Sequence, residues 1–355
     1  MKIYCLIGTG RSGVDFFQTL FDKHPEVSQL PGVFYYDLFL EKIKKKKKKY
    51  IASKFINEHE RFFNSKIYKE ERHDQLGEKK NEYFTVKKNL FIKNFVELCK
   101  NPDDNYGIFV NLHLAYSAAC GENIKSKKII ILNVHNIEHL KNLNNFNYEI
   151  IISIRHPISS LSSSINHWLN FSKKNVDLWW LHYQINRLIN LIEDCITLNK
   201  KIYILRLDFL HNKNIKYIRK ISKIMNISYN SCMEKSTYHG KLWWGDKLSI
   251  KYINGFNKNF NDKYDKKLFF KKDIIYLNYF LNFYYTNYKY KKIYSDKFKK
   301  IYSFLPLKFE LIIWKNLIIN LNFLQLFLIP YYWIKRINIM KIKKKNKLKN
   351  YPKLI

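Results

Sequence analysis

Cysteine is sparse in this sequence, with five residues in a chain of 355. None of the five belongs to a CxxC pair, so their spacing supports neither a zinc site nor a disulfide framework and fits a reduced, cytoplasmic compartment. They are Cys5, Cys99, Cys120, Cys195 and Cys232. A secretion signal is not expected either. The N-terminal apolar run MKIYCLIG is too short for one and has no small-residue cleavage site, so it predicts a first β-strand.

Acidic residues are scarce beside basic ones, 29 against 64, and the formal net charge is +35. A charge of this size indicates an anionic partner, which is a nucleic acid, a membrane surface or a phosphorylated ligand. Part of it follows from codon usage, since the chain over-uses Lys, Asn, Ile, Tyr and Phe, the residues that A/T-rich codons encode. A content of 46% hydrophobic and 17% aromatic residues excludes general disorder, and the length suffices for one large domain or two small ones.

An uninterrupted hydrophobic run long enough to span a membrane is lacking as well. The apolar segment 309–336 comes nearest, but polar residues and a proline break its uncharged stretch: Asn320, Asn322, Gln325 and Pro330. A basic tail, 341–349, follows it. Three interpretations are open: a helix packed on the domain, an interfacial helix with a polybasic flank against anionic lipid, and, least favoured, a true span. We predict a C-terminal apolar helix and basic tail over 306–355, with peripheral contact to the inner membrane face through 309–349 as one outcome.

Four apolar, β-branched runs are bounded by polar or turn residues and separated by helix-like segments. They are residues 2–8, 128–134, 148–154 and 201–207. Continuous apolar strands that alternate with helices predict an α/β fold of three layers with a central parallel sheet. Within a domain over 1–305, the charged segment 41–107 predicts a mostly helical, partly flexible insertion, and its run Lys44–Lys49 is interpreted as a solvated surface segment.

The stretch IGTGRSGVD begins like a nucleotide phosphate-binding loop and lacks its ending. Gly8 and Gly13 fit the first half of GxxxxGK[ST], but the lysine and the hydroxyl residue are replaced by Val14 and Asp15. The missing hydroxyl normally ligates the magnesium that phosphoryl transfer needs. Backbone amides of such a loop still bind phosphate, and Arg11 can supply the charge of the missing lysine. The loop therefore predicts a nucleotide that is held and whose reactive group is not a terminal phosphoryl.

A second phosphate-binding motif follows the run 148–154, in RHPISSLSSS. Arg155 stands at the end of the strand, and Ser163 comes eight residues later in a serine-rich helix start. The guanidinium and the hydroxyl can meet on one phosphate. For either residue alone, an ion pair or an ordinary helix position is the simpler interpretation. Both together, downstream of the glycine loop, favour a shared phosphate site.

These two motifs resemble those of the sulfotransferase family of bacterial type, enzymes that use 3′-phosphoadenosine 5′-phosphosulfate (PAPS). GTGRSG with FFQTLFDKHPEV is similar to the family's 5′-phosphosulfate loop, where PRSGTT or PKSGTT is usual, and RHPISSLSSS is similar to its 3′-phosphate motif. The resemblance covers roughly residues 2–30 and 128–250. It implies a P-loop-like α/β fold, PAPS as donor, no metal, and sulfuryl transfer to a hydroxyl or amine. It also implies these cofactor contacts: Gly10, Arg11, Ser12, Gly13, Val14, Asp15, Arg155 and Ser163.

The stretch IIILNVHNIEHL resembles the family's KTHLPxxLLP segment, and His135 falls on the histidine that is the catalytic base in many cytosolic members. A neutral imidazole at a strand end can take the proton of the acceptor. A surface or capping histidine is the alternative interpretation. His113, in FVNLHLAY, is the second candidate base, and Arg11 is also a catalytic candidate.

The stretch STYHGKLWWGDK, residues 236–247, lies where the family closes over the adenine and the 3′-phosphate. The resemblance implies that Lys241 or Lys247 reaches phosphate and that Trp243 or Trp244 stacks on adenine. A packed aromatic turn is the alternative interpretation of the same residues.

The sequence departs from the family at three places. Val14 and Asp15 replace Thr-Thr, Asn133 replaces a lysine, and QLPGVFYYD offers only Asp37 where some members carry a glutamate base. A carboxylate about 6 Å from the phosphate would cost about 3 kcal/mol at an effective dielectric constant of about 20. We therefore predict that Asp15 turns away from the phosphate and lies at the helix N-terminus, where the dipole favours it.

The paired motifs favour a PAPS-dependent sulfotransferase over three alternatives. One is a basic protein that binds nucleic acid or an anionic membrane without catalysis, and the motifs disfavour a nucleic-acid partner. Another is a protein that binds PAP, the desulfonated product, and has lost activity. The third is a nucleotide kinase, which the missing lysine and hydroxyl oppose. The acceptor class is open among carbohydrate, lipid headgroup and small metabolite.

Overall fold

The computed structural model describes residues 1–171, 178–247, 252, 255–257, 260, 262–319, 323–345 and 351–355. The strands of its central sheet are β1 (Lys2–Gly8), β2 (Val27–Val33), β3 (Ile129–Asn133), β4 (Tyr148–Ile154) and β5 (Ile202–Arg206). The sheet is five-stranded, in the order β2-β3-β1-β4-β5, and every neighbouring pair is parallel. The predicted α/β fold with a central parallel sheet is confirmed.

Helices occupy most of the connections between the strands and much of the described chain from residue 271 onward. They are α1 (Val14–Thr19), α2 (Tyr36–Ile43), α3 (Lys48–Glu58), α4 (Glu60–Phe63), α5 (Lys88–Leu98), α6 (Asn105–Ala119), α7 (Glu138–Lys141), α8 (Pro157–Phe171), α9 (Leu178–Ile196), α10 (Leu207–Met225), α11 (Lys271–Phe280), α12 (Asn282–Tyr288), α13 (Lys308–Ile319), α14 (Phe323–Phe327) and α15 (Ile329–Lys345). A short hairpin, β6 (Thr237–Tyr238) and β7 (Lys241–Leu242), lies outside the central sheet.

Successive side chains of β1 enter opposite layers of the core. Ile3, Cys5 and Ile7 join a large hydrophobic cluster with residues of α3, α5, α6 and α9. Tyr4 and Leu6 join a smaller cluster with residues of α1 and α10. Because both faces of the strand are buried, its sequence is apolar throughout instead of alternating. The sheet is therefore the middle one of three layers.

The four apolar runs that predict strands coincide with β1, β3, β4 and β5, whereas β2 has no counterpart among them. Its sequence VSQLPGV contains Pro31 and Gly32, two residue types that are depleted in strands. β2 lies at the edge of the sheet, where a proline leaves no ladder partner unpaired. The register against β3 also shifts between Gln29 and Val33. The edge position explains how this segment pairs despite its composition.

The charged segment 41–107 contains the helices α3, α4 and α5 and packs on the large cluster through its phenylalanines. The rings of Phe55 in α3 and Phe91 in α5 stack with 5.3 Å between their centroids. Residues 44–47 of the lysine run are exposed between α2 and α3. The segment therefore combines a solvated turn with helices that belong to the same core as the sheet.

The described residues of the C-terminal segment, where an apolar helix and a basic tail are predicted, include the helices α13, α14 and α15. α13 buries Phe309, Ile313 and Leu317, which recur every four residues and so lie on one face. α15 packs on α9. Of the helices within the described residues, none is long and apolar enough to cross a membrane.

The last residues of the chain lie beside β5, at the edge of the sheet opposite β2. Leu354 forms a parallel bridge with Ile204. The backbone N–H of Ile204 donates to Lys353 O at 3.1 Å, and that of Ile355 donates to Ile204 O at 2.9 Å. The described C-terminal residues thus add a short pairing partner to β5.

A buried ion pair joins the C-terminal helices to each other. Glu310 of α13 and Arg336 of α15 are 0% and 1% exposed, and Arg336 Nε lies 2.9 Å from Glu310 Oε1. Tyr332 donates its hydroxyl to the same carboxylate at 2.7 Å, and Arg336 donates to the Tyr276 hydroxyl of α11 at 3.0 Å. Each charge is therefore held by groups that have no access to water.

We expect Glu310→Gln to lower the free energy of unfolding by about 3–5 kcal/mol, because Arg336 keeps its charge in the core without a carboxylate. Chemical denaturation measures the difference. Glu97→Gln, at an exposed position of α5, is the matched control and should stay within about 0.5 kcal/mol of the wild type. If the two variants were equally stable, the ion pair would not hold the C-terminal helices together.

Candidate functional site

A cavity of about 360 Å³ opens at the carboxyl ends of the strands. The connection after β1 leads to β2 at one edge of the sheet, and the connection after β4 leads to β5 at the other edge. This divergence opens a crevice between the ends of two neighbouring strands, which is where ligands bind in open parallel sheets. The lining comes from the segments after β1, β3, β4 and β5 and from α8 and α9.

The loop after β1 needs glycine at two positions. Gly10 and Gly13 have φ values of 74° and 77°, in the left-handed region. A Cβ on Gly13 would also lie 2.5 Å from Leu207 Cδ1, and one on Gly10 would lie 3.2 Å from the hydroxyls of Ser160 and Ser164. The loop backbone therefore fits closely between the start of α10 and the serines of α8.

Arg155 directly follows β4, Ser163 lies in α8, and both line the cavity with the loop. Arg155 Nε donates to Asp262 Oδ1 at 2.7 Å, and the guanidinium lies 5.4 Å from the Phe260 ring centroid. Within the part of the chain that the structure describes, neither Nη group of Arg155 nor the Ser163 hydroxyl donates a hydrogen bond to protein. Asp262 thus orients the guanidinium, and the remaining donors are available to an anion.

Arg11, expected to supply the charge of the missing lysine, is paired with a carboxylate. Its Nη1 and Nη2 donate to the two oxygens of Asp246 at 2.7 and 3.1 Å. Burial lowers the pKa of Arg11, but the hydrogen bond and the charge of Asp246 outweigh burial and raise it. The loop therefore carries less net positive charge than its sequence indicates.

His135 and Asp15 meet on the side of the loop that faces β3. His135 follows β3 by two residues, and its Nε2 lies 3.2 Å from Asp15 Oδ1. Asn133 Nδ2 donates to the same oxygen at 2.9 Å. Because a carboxylate only accepts, Nε2 donates its hydrogen to Asp15, and Nδ1 is the nitrogen that can exchange a proton with an acceptor.

Asp15 lies in the first turn of α1, as predicted, and is one of the residues that line the cavity. Its hydrogen bonds go to Asn133 and His135 and not to the helix N-terminus. Burial raises the pKa of Asp15, but the charge and the hydrogen bond of His135, together with the bond from Asn133, outweigh burial and bring that pKa to about 2. Asp15 is therefore an ionised partner of His135.

The cavity brings together most of the residues that the sequence motifs predict. These are Gly10, Arg11, Ser12, Gly13, Val14, Asp15, His135, Arg155, Ser163 and Trp243. They come from four separate segments of the chain, and Trp243 is held by an Nε1 hydrogen bond to Glu71 O at 2.7 Å.

Four of the candidate site residues predicted from the sequence lie outside the cavity lining: His113, Lys241, Trp244 and Lys247. His113 is fully buried within α6, where its Nδ1 is 2.9 Å from Phe109 O and burial lowers its pKa to about 4. Lys241 pairs with Glu82 instead of reaching the cavity. Trp244 donates its Nε1 to Gly77 O at 2.6 Å. The structure thus does not place the second candidate base or the candidate phosphate lysines at the site.

One face of α9 lines the cavity and has no counterpart in the sequence motifs. Trp180, Gln184 and Arg187 follow one another at intervals of four and three residues, the spacing of one helix face. Arg187 Nη2 donates to His135 O at 2.5 Å. Its Nε is buried without a hydrogen-bond partner among the described residues, and burial lowers its pKa. In the sequence LWWLHYQINR, one aromatic and two polar residues are spaced at helical intervals. This spacing is the signal from which the face could have been predicted.

Glu71, in the charged segment 41–107, also lines the cavity. Burial raises its pKa well above the ordinary value of 4.5, and the charges of Asp15 and Asp246 raise it further. Nothing in the surrounding sequence KEERHDQ distinguishes this glutamate from its neighbours. Its position depends on how the insertion packs over the loop.

Metal ligands do not cluster in the described residues, which contain no group of three or more His, Cys, Asp or Glu side chains that could hold a metal ion.

No protein-family model matches the sequence, and no curated protein matches it. The solved structures that are similar to this chain include two sulfotransferase domains. One is the sulfotransferase domain from the Synechococcus PCC 7002 olefin synthase, with a TM-score of 0.40, 10% identity, and coverage of 70% of this chain and 80% of that one. The other is the sulfotransferase domain from the curacin biosynthetic pathway, with a TM-score of 0.41, 10% identity, and coverage of 72% and 88%. At these values we draw no functional conclusion from the likeness.

The raised pKa of Glu71 makes the free energy of unfolding depend on pH. In the unfolded chain its carboxyl ionises near pH 4.5, whereas the folded protein keeps the proton to higher pH. The folded state therefore loses stability relative to the unfolded state as the pH rises from 4.5 towards the folded pKa. We expect Glu71→Gln to remove this loss and to raise the Tm by at least about 2 °C at pH 8, with no gain near pH 4.

Thermal unfolding monitored by circular dichroism at the two pH values measures this effect. Glu70→Gln, at the exposed neighbouring position, is the matched control and should show no such difference between them. A Glu71→Gln protein that is less stable than the wild type at pH 8 would mean that the carboxyl is ionised and usefully paired in the folded state.

Proposed function

We propose that the cavity binds PAPS and that the protein transfers its sulfuryl group to a hydroxyl or amine of an acceptor. One observation carries the proposal. The glycine loop, Arg155 and Ser163 line a single cavity, and His135 lines the same cavity from the other side of the loop. A phosphate-binding loop that lacks its magnesium-binding hydroxyl suits a nucleotide that donates something other than phosphoryl.

The residues of the cavity fit such a cofactor. Its volume of about 360 Å³ is in the range of small-molecule sites. PAPS carries anionic groups at its 5′ and 3′ ends. The Gly10–Gly13 backbone can bind one of them, and Arg155 with Ser163 can bind the other. Trp243 and Phe260 add aromatic faces that suit an adenine ring. The motifs assign the loop to the 5′ end and Arg155 with Ser163 to the 3′-phosphate.

PAPS, when bound, supplies a sulfuryl group on a phosphate leaving group. The protein's own contribution begins with His135, whose Nδ1 takes the proton of the acceptor hydroxyl or amine. Asp15 accepts the Nε2 hydrogen and so holds the tautomer in which Nδ1 is basic. Arg187 donates to the carbonyl of His135 and brings a buried positive charge to the same part of the lining. This charge can stabilise negative charge that develops near the base.

The first test is binding of PAP, measured by calorimetric titration in the presence of EDTA. Arg155→Ala should weaken PAP binding at least about tenfold, since a charge-assisted hydrogen bond contributes about 1.5–3 kcal/mol. The matched control is Arg219→Ala, at an exposed position of α10, which should bind as the wild type does. Equal affinity in Arg155→Ala and wild type would refute the assignment of the 3′-phosphate site.

The second test separates catalysis from binding. His135→Ala should lower turnover about 10²–10⁴-fold while PAP affinity stays nearly unchanged. Asp15→Asn should lower turnover at least about tenfold, because its amide can donate to Nε2 and favour the wrong tautomer. Turnover is measured as PAP released from PAPS with a mixture of saccharide, alcohol and amine acceptors.

His139→Ala is the matched control for this pair of variants. His139 also contacts a carboxylate, with its Nδ1 3.0 Å from Asp37, but it lies outside the cavity lining. It should keep wild-type turnover. Full turnover in His135→Ala would assign proton removal to another group of the cavity.

A further inference from the structure

The C-terminal helices expose an unusual amount of apolar side chain. We call this set the C-terminal apolar surface, and its members are Ile318 (59% exposed), Ile319 (64%), Phe323 (60%), Leu324 (82%), Phe327 (82%) and Ile334 (57%). Exposed apolar residues are ordinary when they are scattered, but contiguous patches mark interaction sites. These residues come from consecutive helices, and α14 contacts both α13 and α15.

Folding of the domain does not require this surface. The core side of α13 is formed by Phe309, Ile313 and Leu317, whereas Ile318 and Ile319 continue the helix on its exposed side. α14 has the sequence FLQLF and contributes no fully buried residue, although Leu326 packs partly buried against the large cluster. Its other apolar side chains, Phe323, Leu324 and Phe327, are largely exposed and would be stabilised by an external apolar phase.

Aromatic side chains with polar ends flank the same surface. Trp179 of α9 and Tyr331 of α15 are 41% and 45% exposed, and their ring centroids are 5.4 Å apart. Trp and Tyr are enriched where one end of a side chain is in an apolar phase and the other end is in contact with water, as at the boundary of a bilayer.

The charge of this part of the chain is of one sign. No Asp or Glu occurs in the 45 residues after Glu310, the last acidic residue of the sequence. Lysine and arginine occupy ten of those positions: Lys315, Lys335, Arg336, Lys341, Lys343, Lys344, Lys345, Lys347, Lys349 and Lys353. Arg336 is neutralised by Glu310 in the core, which leaves nine lysines. A sequence segment this basic favours anionic lipid headgroups, by about 1 kcal/mol for each lysine that comes near the surface.

We propose that the C-terminal apolar surface docks on the face of an anionic bilayer. The apolar side chains enter the boundary between headgroups and acyl chains, Trp179 and Tyr331 lie at headgroup depth, and the positive charge of this part of the sequence attracts the anionic surface. A second copy of the chain is a poor occupant, because two molecules that each carry a net charge of +35 would have to bring their lysine-rich segments together. This docking places the domain on the membrane without a spanning helix.

Vesicle binding of the full chain tests the proposal. Vesicles of phosphatidylcholine alone are compared with vesicles that contain about 30% phosphatidylserine, which raises the negative surface potential. Salt of about 0.3 M screens contacts that depend on charge alone, so the apolar contribution becomes measurable. The double variant Leu324→Ser/Phe327→Ser should then bind phosphatidylserine vesicles at least about tenfold more weakly than the wild type does.

The control removes exposed apolar side chains elsewhere. Ile67→Ser/Leu90→Ser changes residues that are 52% and 42% exposed in the charged segment 41–107 and should bind vesicles as the wild type does. PAP affinity and Tm of both double variants show that the fold is intact. Equal vesicle binding by wild type and Leu324→Ser/Phe327→Ser would overturn the proposal. It would also be overturned if light scattering without lipid found a wild-type dimer that this variant makes monomeric.

Discussion

The site depends on one constraint: the strands are all parallel and therefore end at the same edge of the sheet, with β1 between β3 and β4. A residue that comes one to three positions after a strand lies at that edge, wherever the strand occurs in the sequence. Gly10, His135 and Arg155 become neighbours in this way. The glycine loop then has to pass between α8 and α10, and the small side chains Ser160 and Ser164 leave room for it.

Structural features that depend on local sequence could be predicted. A strand that is buried on both faces has an apolar sequence, and a tight turn needs glycine. β1, β3, β4, β5 and the loop follow from these rules. β2 does not, since Pro31 and Gly32 are tolerated only because the strand is an edge. The apolar surroundings of His113 are equally compatible with a strand end and with a helix interior, and the structure places it in the helix.

Pairings between distant residues could not be predicted from the sequence, and they change how the departures from the family pattern are interpreted. Arg11 and Asp246 are 235 positions apart, and Asp15 and Asn133 are 118 apart. Taken singly, Asp15 is a carboxylate in a phosphate site and Asn133 is a lost lysine. In the fold, Asn133 donates to Asp15, which faces His135. The two departures therefore belong to one hydrogen-bonded group. In the sequence alone they look unrelated, because the residues are far apart.

The pairing of Leu354 with Ile204 has a consequence for the solution behaviour of the protein. An uncovered edge strand offers a row of backbone donors and acceptors to the sheet of another molecule. Here the C-terminal residues occupy that position beside β5, and Pro31 interrupts the donor row of β2 at the other edge. Both edges of the central sheet thus offer a foreign strand a shorter row of backbone partners than an uncovered edge would. In a chain this rich in β-branched and aromatic residues, the shorter rows lower the tendency to join other molecules edge to edge.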